Sequence, residues 1–183
     1  MIGYKPFKYR TFVLDHGKGN MKGKIVLVFL CCASFITFAE NEIKGIVTNV
    51  IDGNTIEVLS TDHEVYKVLL HGIDSPEPGQ NYSEQAKRLL SKLLLEKSVT
   101  ILLHGKDRLG NRLGEIRIEG APDPRHELIN EGLAWTSERE PIAELESLRE
   151  QARQKGKGLW REENPTPPWI FRRQQSMLQA KSS

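Results

Sequence analysis

Short stretches rich in apolar and β-branched residues follow one another between residues 43 and 73, with turn residues between them. Their spacing predicts strands at 43–51, 55–59 and 65–73. Asp52-Gly53 is a hairpin turn signal, and residues 61–63 mark a second turn. Gly45 in the first stretch indicates a bulge or a bend. The three strands are expected to form an antiparallel meander.

The apolar spacing changes to a helical period after the proline-containing break at 75–79. It predicts a helix over residues 84–95, with Ser83 as its N-cap. Two further strands are expected at 99–103 and 113–118, and two further helices at 124–132 and 141–155. Five strands with a helix between the third and the fourth indicate an α+β fold, a five-stranded OB-fold-type β-barrel with about three helices.

The N-terminal part of the chain has the pattern of an export signal. Two lysines precede an almost wholly apolar run at 25–36, after which Thr37 and Ala39 place small residues at the two positions that a signal peptidase reads. The run is too short to cross a bilayer as a permanent helix. We therefore predict a signal peptide at 21–39, no stable membrane span after its cleavage, and export to the periplasm or the extracellular space. The alternatives are an uncleaved anchor or a buried helix, and residues 1–20 are either a start-site extension or a long basic n-region.

Charge and cysteine usage change once residues 1–39 are set aside. The full chain has a net charge of +2, whereas residues 40–183 carry −3. Basic residues are concentrated near the C-terminus, where 162–183 reads as a proline-rich basic tail behind a folded domain at 40–161. A strong nucleic-acid binder usually shows a basic face, so charge alone does not favour that function. Both cysteines lie within the apolar run, which leaves the exported chain without a disulfide or a thiolate metal site.

Six short segments carry a resemblance to a known family. In order, they lie at 50–56, 70–77, 107–110, 128–135, 152–160 and 167–172. In this order and spacing the chain resembles the staphylococcal nuclease family over residues 43–173. The resemblance implies a calcium-dependent phosphodiesterase that acts on DNA or RNA. It further implies two carboxylates at the calcium ion, two arginines on the scissile phosphate and a glutamate near the attacking water.

The acidic positions of that site are partly retained. By the resemblance, the first calcium carboxylate falls on Asn54, which is an amide, and the second falls on Asp74. Ser75 stands where the family contributes a main-chain carbonyl, and the glutamate falls on Glu77. A Ca²⁺ site built from Asp74, Asn54 and Ser75 has one negative charge fewer, so we expect it to bind its ion more weakly.

Both arginine positions have lost their charge, because they fall on Leu69 and Asn111. Lys67 and Arg112 are candidate replacements: Lys67 shares the face of Leu69 in a strand, and Arg112 directly follows Asn111. A lysine does not give the forked contact of an arginine, however. Ordinary solvent exposure is the other interpretation of these two cations and of the neighbouring His71.

The remaining aromatic and imidazole side chains favour structural interpretations. The chain has three tryptophans, Trp135, Trp160 and Trp169. They could stack on nucleobases, although packing in a small core is the preferred interpretation. Three other histidines show no metal-ligand spacing and are expected at the surface: His63, His104 and His126.

Two functions follow from these residues. The first is an exported nuclease-fold protein whose phosphodiesterase activity is weakened or lost, because Asp74 and Glu77 are retained while three other site positions are not. The second is a non-catalytic module that binds a protein, the cell envelope or nucleic acid. A competent nuclease that uses Lys67 and Arg112 is a third alternative. DNA, RNA and a protein are accordingly the expected partners.

Overall fold

Residues 42–107 and 109–182 are described by a computed structural model of the protein. The predicted signal peptide at 21–39 and the segment upstream of it lie outside the described residues. Within the described part, no helix is both long and apolar enough to span a membrane.

The described residues form strands and helices in an order close to the one that the sequence predicts. The strands are β1 (Glu42–Val50), β2 (Thr55–Ser60), β3 (Val65–Leu70), β4 (Ile73–Asp74), β5 (Ser98–Lys106), β6 (Arg112–Arg117) and β7 (Trp135–Thr136). The α-helices are α1 (Ser83–Leu94), α2 (Pro124–Asn130), α3 (Ala143–Gln154) and α4 (Pro168–Ser182), and a 3₁₀ helix spans Gly158–Arg161.

Five of the strands close into a barrel in the order β1-β2-β3-β6-β5, and β5 pairs back onto β1. Neighbours are antiparallel except β3 and β6, whose parallel pairing places Leu69 beside Leu113. Alternate side chains along each strand point inward, because successive residues of a strand face opposite ways. The following inward residues are almost fully buried: Val47, Ile56, Val58, Val68, Leu70, Ile101 and Ile116. The predicted α+β fold with an OB-type barrel is confirmed.

Helix α1 packs onto β1 of the barrel, α2 packs against both α1 and α3, and the apolar faces of all three helices join the barrel core. The stripe predicted on α1 is buried at Ala86, Leu90 and Leu94. In α2, Leu128 belongs to the same hydrophobic cluster, as does Leu145 in α3. Barrel and helices therefore share one core.

Three local features differ from the expectation. The strand predicted over 65–73 is interrupted, because Gly72 adopts a φ of 84° and the chain then forms β4, which pairs with β7. Ser83 is the first residue of α1 rather than its cap, and the capping position is Tyr82 in a left-handed conformation. The bulge in β1 lies between Val47 and Asn49, whereas Gly45 is regularly paired on both sides.

The segment predicted as a basic tail contains α4, a fourth helix that the sequence pattern did not indicate. Just before it, the main-chain oxygen of Thr166 accepts a hydrogen bond from Nε2 of Gln80 at 2.9 Å. The Trp169 ring in its first turn lies edge-on to Trp135, with ring centroids 5.7 Å apart. The beginning of α4 is therefore joined to the barrel domain.

Candidate active site

The loop between β1 and β2 lies against the segment that follows β4, and this brings the predicted acidic positions together. A Cβ at Gly53 would be 2.7 Å from Cβ of Ser75 and 2.6 Å from Cβ of Ala86, so only glycine permits the approach. The main-chain oxygen of Asn54 accepts a hydrogen bond from the nitrogen of Leu70 at 2.8 Å. Asn54 and Ser75 therefore lie on neighbouring segments, as the resemblance implies.

The side chains of Asp74 and Glu77 converge on one guanidinium, that of Arg172 in α4. Nη2 of Arg172 donates to Oδ2 of Asp74 at 2.7 Å, and Nη1 donates to Oδ1 of the same carboxylate at 3.2 Å. Nη1 also donates to Oε1 of Glu77. The main-chain nitrogen of Glu77 donates to Oε1 of Gln80 at 2.8 Å, which fixes this turn. The two retained carboxylates thus share a single cation.

Burial and charge act in opposite directions in this group. Burial raises the pKa of Asp74, the hydrogen bonds from Arg172 offset this only in part, and the nearby carboxylate of Asp52 raises it further. Hydrogen bonding to Asp74 raises the pKa of Arg172, so the guanidinium stays charged. For the pKa of Arg172, the hydrogen bonds with the carboxylates outweigh burial. For the pKa of Asp74, whose side chain is 19% exposed, burial outweighs the hydrogen bonds from Arg172. Three carboxylates accompany one guanidinium, and the group has an excess of negative charge.

Leu69 places an apolar side chain at the first expected arginine position. It is directly paired with Thr55 of β2 on one side and with Leu113 of β6 on the other, and it is half-buried. A leucine offers no donor to a phosphate, so this expected arginine position contributes only packing.

Asn111 is tied into the turn between β5 and β6. Its Nδ2 donates to Oδ2 of Asp107 at 2.8 Å, and its main-chain nitrogen donates to Oδ1 at 2.8 Å. Although burial acts in the opposite direction, the hydrogen bonds from Asn111 and from neighbouring main-chain nitrogens lower the pKa of Asp107. The carboxylate and the amide thus stabilise each other, and the Asn111 side chain is used within its own turn.

The two candidate replacement cations lie on different faces. Lys67 is exposed, pairs across the strands with Glu57, and points to the same side as Leu69. Arg112 pairs with Val68, a core residue, so its side chain leaves the strand on the face opposite Leu69. The guanidinium carbon of Arg112 lies 4.1 Å from the centroid of the Tyr66 ring. The structure does not bring Arg112 to Asp74 and Glu77, whereas Lys67 shares the face of Leu69 and forms no ion pair with either carboxylate among the described residues.

The residues that the resemblance assigns to calcium do not fit a two-carboxylate site. They present one carboxylate at Asp74, whose two oxygens both accept from Arg172. Ser75 is buried, and its Oγ has no hydrogen-bond partner among the described residues. Residues 42–107 and 109–182 contain no group of three Asp, Glu or His side chains that could hold a metal ion. The carboxylate oxygens that converge here accept hydrogen bonds from the Arg172 guanidinium, and the calcium position lacks the second carboxylate that the resemblance implies.

Two features of the site were not predicted. Arg172 belongs to one of the segments that carry the resemblance, but the sequence gives no sign that it reaches Asp74, 98 positions earlier. The stacking of His71 on His104, with ring centroids 4.2 Å apart, also depends on tertiary structure. For the tryptophans, packing is supported, because the Trp135 ring contacts both Trp160 and Trp169 edge-on.

Comparison with known proteins identifies the fold family. Residues 67–162 match the family model described as staphylococcal nuclease homologue. The chain is 34% identical over 134 residues to a protein named "Uncharacterized endonuclease" from Escherichia coli O157:H7, which covers 72% of this chain and 86% of the relative. It is 30% identical over 143 residues to a protein named "Micrococcal nuclease" from Shigella flexneri, covering 72% and 82%.

A third relative, "Protein ParB" from Escherichia coli, is 32% identical over 144 residues, covering 73% of this chain and 81% of the relative. The matched region includes Leu69, Asp74, Glu77 and Asn111, so two of the three altered positions, Leu69 and Asn111, lie inside it, whereas Asn54 precedes it. The barrel, the converging carboxylates and these matches agree: the chain belongs to the staphylococcal nuclease family.

Proposed function

We propose that the protein hydrolyses phosphodiester bonds of nucleic acid at Asp74 and Glu77, more slowly than a family member with two arginines at this site. The observation that carries the proposal is the convergence of these two carboxylates at one point, while Leu69 and Asn111 offer no charge there. A preorganised donor to the transition state contributes about 10² to 10³ in rate. Losing two of them therefore lowers the rate by about 10⁴ or more.

Glu77 is the residue best placed to act on water. Its Oε1 accepts from Arg172, and no described residue forms a hydrogen bond with its Oε2. The side chain is 29% exposed, so water reaches it. A positioned carboxylate can orient the attacking water and accept its proton. Dependence on calcium is implied by the resemblance only, and it is tested by the same assay.

The test is cleavage of labelled single-stranded DNA and RNA by protein purified from cells that express the full chain, with Ca²⁺ and with EDTA. We expect slow cleavage that the Glu77→Gln variant abolishes. Glu119→Gln is the matched control, since Glu119 is exposed and far along the chain in a turn. Cleavage that survives in Glu77→Gln would remove this proposal, and equal rates with Ca²⁺ and EDTA would remove calcium from it.

Binding without cleavage is the second candidate function, and the altered positions Asn54, Leu69 and Asn111 favour it. A protein that binds DNA or RNA in a salt-dependent way but cleaves neither would have this function. A protein partner or the cell envelope would instead be indicated if nucleic acid neither binds nor is cleaved.

Export is proposed on the pattern at residues 21–39 alone. The measurement is the intact mass of the protein recovered from the periplasm or the medium. A chain that begins at residue 40 supports cleavage after Ala39, whereas a full-length chain retained with the membrane contradicts it.

A further inference from the structure

Arg172 is the only arginine or lysine of the described residues that forms an ion pair with Asp74 or Glu77. It reaches them from α4, outside the matched family region at 67–162. Without it, this point would hold two carboxylates and no cation, and a phosphodiester would be repelled. Among the described side chains, recognition of phosphate at this point therefore depends on Arg172.

The guanidinium keeps one edge open. Of the five N–H donors of an arginine, two on Nη1 and one on Nη2 are used by Asp74 and Glu77. The Nε–H and the second hydrogen of Nη2 lie side by side on another edge, and no described residue accepts from them. The side chain of Arg172 is 49% exposed, so this edge is accessible. Two parallel N–H donors of this kind match two oxygens of a phosphate.

The arginine is also held in place before any ligand arrives. Asn81 Nδ2 donates to Oε1 of Glu162 at 2.8 Å, and Gln80 Nε2 donates to the oxygen of Thr166 at 2.9 Å. The aromatic ring of Trp169 packs edge-on against Trp135. The two hydrogen bonds join the segment before α4 to the turn after Glu77, and the ring contact joins the first turn of α4 to β7. A donor fixed by its surroundings loses little conformational entropy when it binds.

We propose that Arg172 is the phosphate-binding arginine of this site, oriented by Asp74 and Glu77, with its Nε–Nη2 edge directed at a phosphate of nucleic acid. It supplies from α4 the cation that Leu69 and Asn111 no longer supply from the barrel. The identity of the ligand as nucleic acid rests on the proposed function, whereas the role of Arg172 as an anion-binding group rests on its own geometry.

The opposite role is that of a latch, in which Arg172 blocks Asp74 and Glu77 until it is displaced. The two roles differ in sign. Removing a phosphate ligand weakens the binding of nucleic acid, whereas removing a latch strengthens binding or accelerates cleavage.

The test is the binding of a short fluorescein-labelled oligothymidine to the purified full chain, followed by fluorescence anisotropy in EDTA at several NaCl concentrations. Arg172→Ala is compared with Arg173→Ala, which removes the same charge from the next position of the same helix. Arg173 is exposed and forms no ion pair with a described residue. We expect Arg172→Ala to weaken binding about tenfold or more, because a charged hydrogen-bond pair is lost. Arg173→Ala should weaken it less than about threefold, as expected for a distant charge.

A lysine at the same position separates charge from geometry. Arg172→Lys keeps the ion pair with Asp74 but not the open fork, so its affinity should fall between those of the wild type and Arg172→Ala. Near-ultraviolet circular dichroism and tryptophan fluorescence show whether α4 stays docked, because Trp169 lies on Trp135. If Arg172→Ala undocks α4, the affinities of Arg172→Lys and Arg173→Ala for the oligothymidine are compared instead, and weaker binding by Arg172→Lys supports the inference.

Three results would overturn the inference: equal binding by Arg172→Ala and Arg173→Ala, tighter binding or faster cleavage by Arg172→Ala, or no binding by the wild type. The proposed function fails separately. A wild type that binds through Arg172 without cleaving supports the inference and removes the nuclease. If the wild type cleaves and Arg172→Ala binds as well as Arg173→Ala does, the nuclease is supported and the inference about Arg172 is removed.

Discussion

The imidazole rings of His71 and His104 lie stacked, with their centroids 4.2 Å apart and their planes 7° from parallel. His104 reaches this position from the irregular part of β5, where the register shifts. Nε2 of His71 is 3.3 Å from Oε2 of Glu140, and Nε2 of His104 is 3.8 Å from Oε2 of Glu115. Burial, and after it the neighbouring His71 ring, lower the pKa of His104.

The first prediction is that His104 makes the stability of the protein depend on pH. Burial and the neighbouring His71 lower the pKa of His104 below its ordinary value of 6.5, Arg125 and Arg117 act in the same direction, and Glu115 opposes them. The unfolded chain therefore takes up a proton on His104 first as the pH falls. The contribution of His104 to stability is therefore lost as the pH drops below about 6.5, whereas it is unchanged above that pH.

Urea unfolding of wild type and His104→Phe at about pH 5.5 and 7.5 measures this effect. Phenylalanine keeps the stacked ring and removes the titration, so the fall in the unfolding midpoint at the lower pH should shrink. His63→Asn is the control, because His63 is exposed and asparagine tolerates its φ of 66°. An identical pH dependence in wild type and His104→Phe would contradict the prediction.

The second prediction is that the buried charge of Asp74 lowers the stability of the folded protein near neutral pH, although the proposed activity requires this carboxylate. Burial raises the pKa of Asp74, so the folded chain holds this proton to a higher pH than the unfolded chain. The contribution of Asp74 to stability therefore declines as the pH rises from its ordinary value near 3.8 through the raised pKa in the folded state. Asp74→Asn should abolish this decline and unfold at an equal or higher urea concentration near neutral pH, while losing the activity proposed for the site.

Asp62→Asn is a control of the opposite sign. In the wild type, the hydrogen bond from Ser60 lowers the pKa of Asp62. The contribution of Asp62 to the stability of the protein is therefore lost as the pH falls. Unfolding curves from about pH 4 to pH 7 compare the three proteins. A lower stability of Asp74→Asn than of wild type near pH 7 would show that its pair with Arg172 outweighs the burial of its charge.

The third prediction concerns the contact that sets the site loop. A methyl group at Gly53 would meet Cβ of Ala86 at 2.6 Å, which real carbon atoms do not tolerate. Gly53→Ala should therefore destabilise the domain by about 1 to 3 kcal/mol and displace Asn54 from its place beside Leu70. Urea unfolding measures the loss, and Ala86→Gly in the same background should recover part of it. If the losses of unfolding free energy from Gly53→Ala and Ala86→Gly simply add in the double variant, the two positions are not in steric conflict.

Local patterns account for most of the barrel but only part of the site. The strands and α1 follow from alternation and helical spacing, because burial acts on every second or every third to fourth residue. The two-residue strands β4 and β7 exist only through their mutual pairing. Helix α4 begins behind a proline-rich stretch, and its beginning is joined to the rest of the domain through Gln80 and Trp135, neither of which is near it in sequence.

The same distinction holds for the functional residues. Asp74 and Glu77 lie in a compact motif, so their placement could be anticipated from neighbouring residues. Arg172 could not, because its contact with Asp74 depends on how α4 docks. Arg112 was a reasonable candidate by sequence distance from Asn111, but the strand pairing with Val68 sends it to the opposite face.

The last prediction is that charge restored at the lost arginine position raises the rate of cleavage. In the turn that holds Asn111, the hydrogen bonds between the main chain and Asp107 do not use the Asn111 side chain. Asn111→Arg therefore loses only the bond from Nδ2 to Asp107, a cost of about 1 kcal/mol, and the turn should keep its shape.

We expect Asn111→Arg to increase the single-turnover rate of DNA cleavage by about 10² or more, and Leu69→Arg with Asn54→Asp to add to it. Leu109→Arg is the matched control. It adds the same charge two residues away on a side chain that is 87% exposed, in the same turn but outside the expected arginine position. If Leu109→Arg accelerates cleavage as much as Asn111→Arg does, the gain comes from general attraction of the nucleic acid. A gain confined to Asn111→Arg means that this barrel still orients a phosphate where the arginine would contact it.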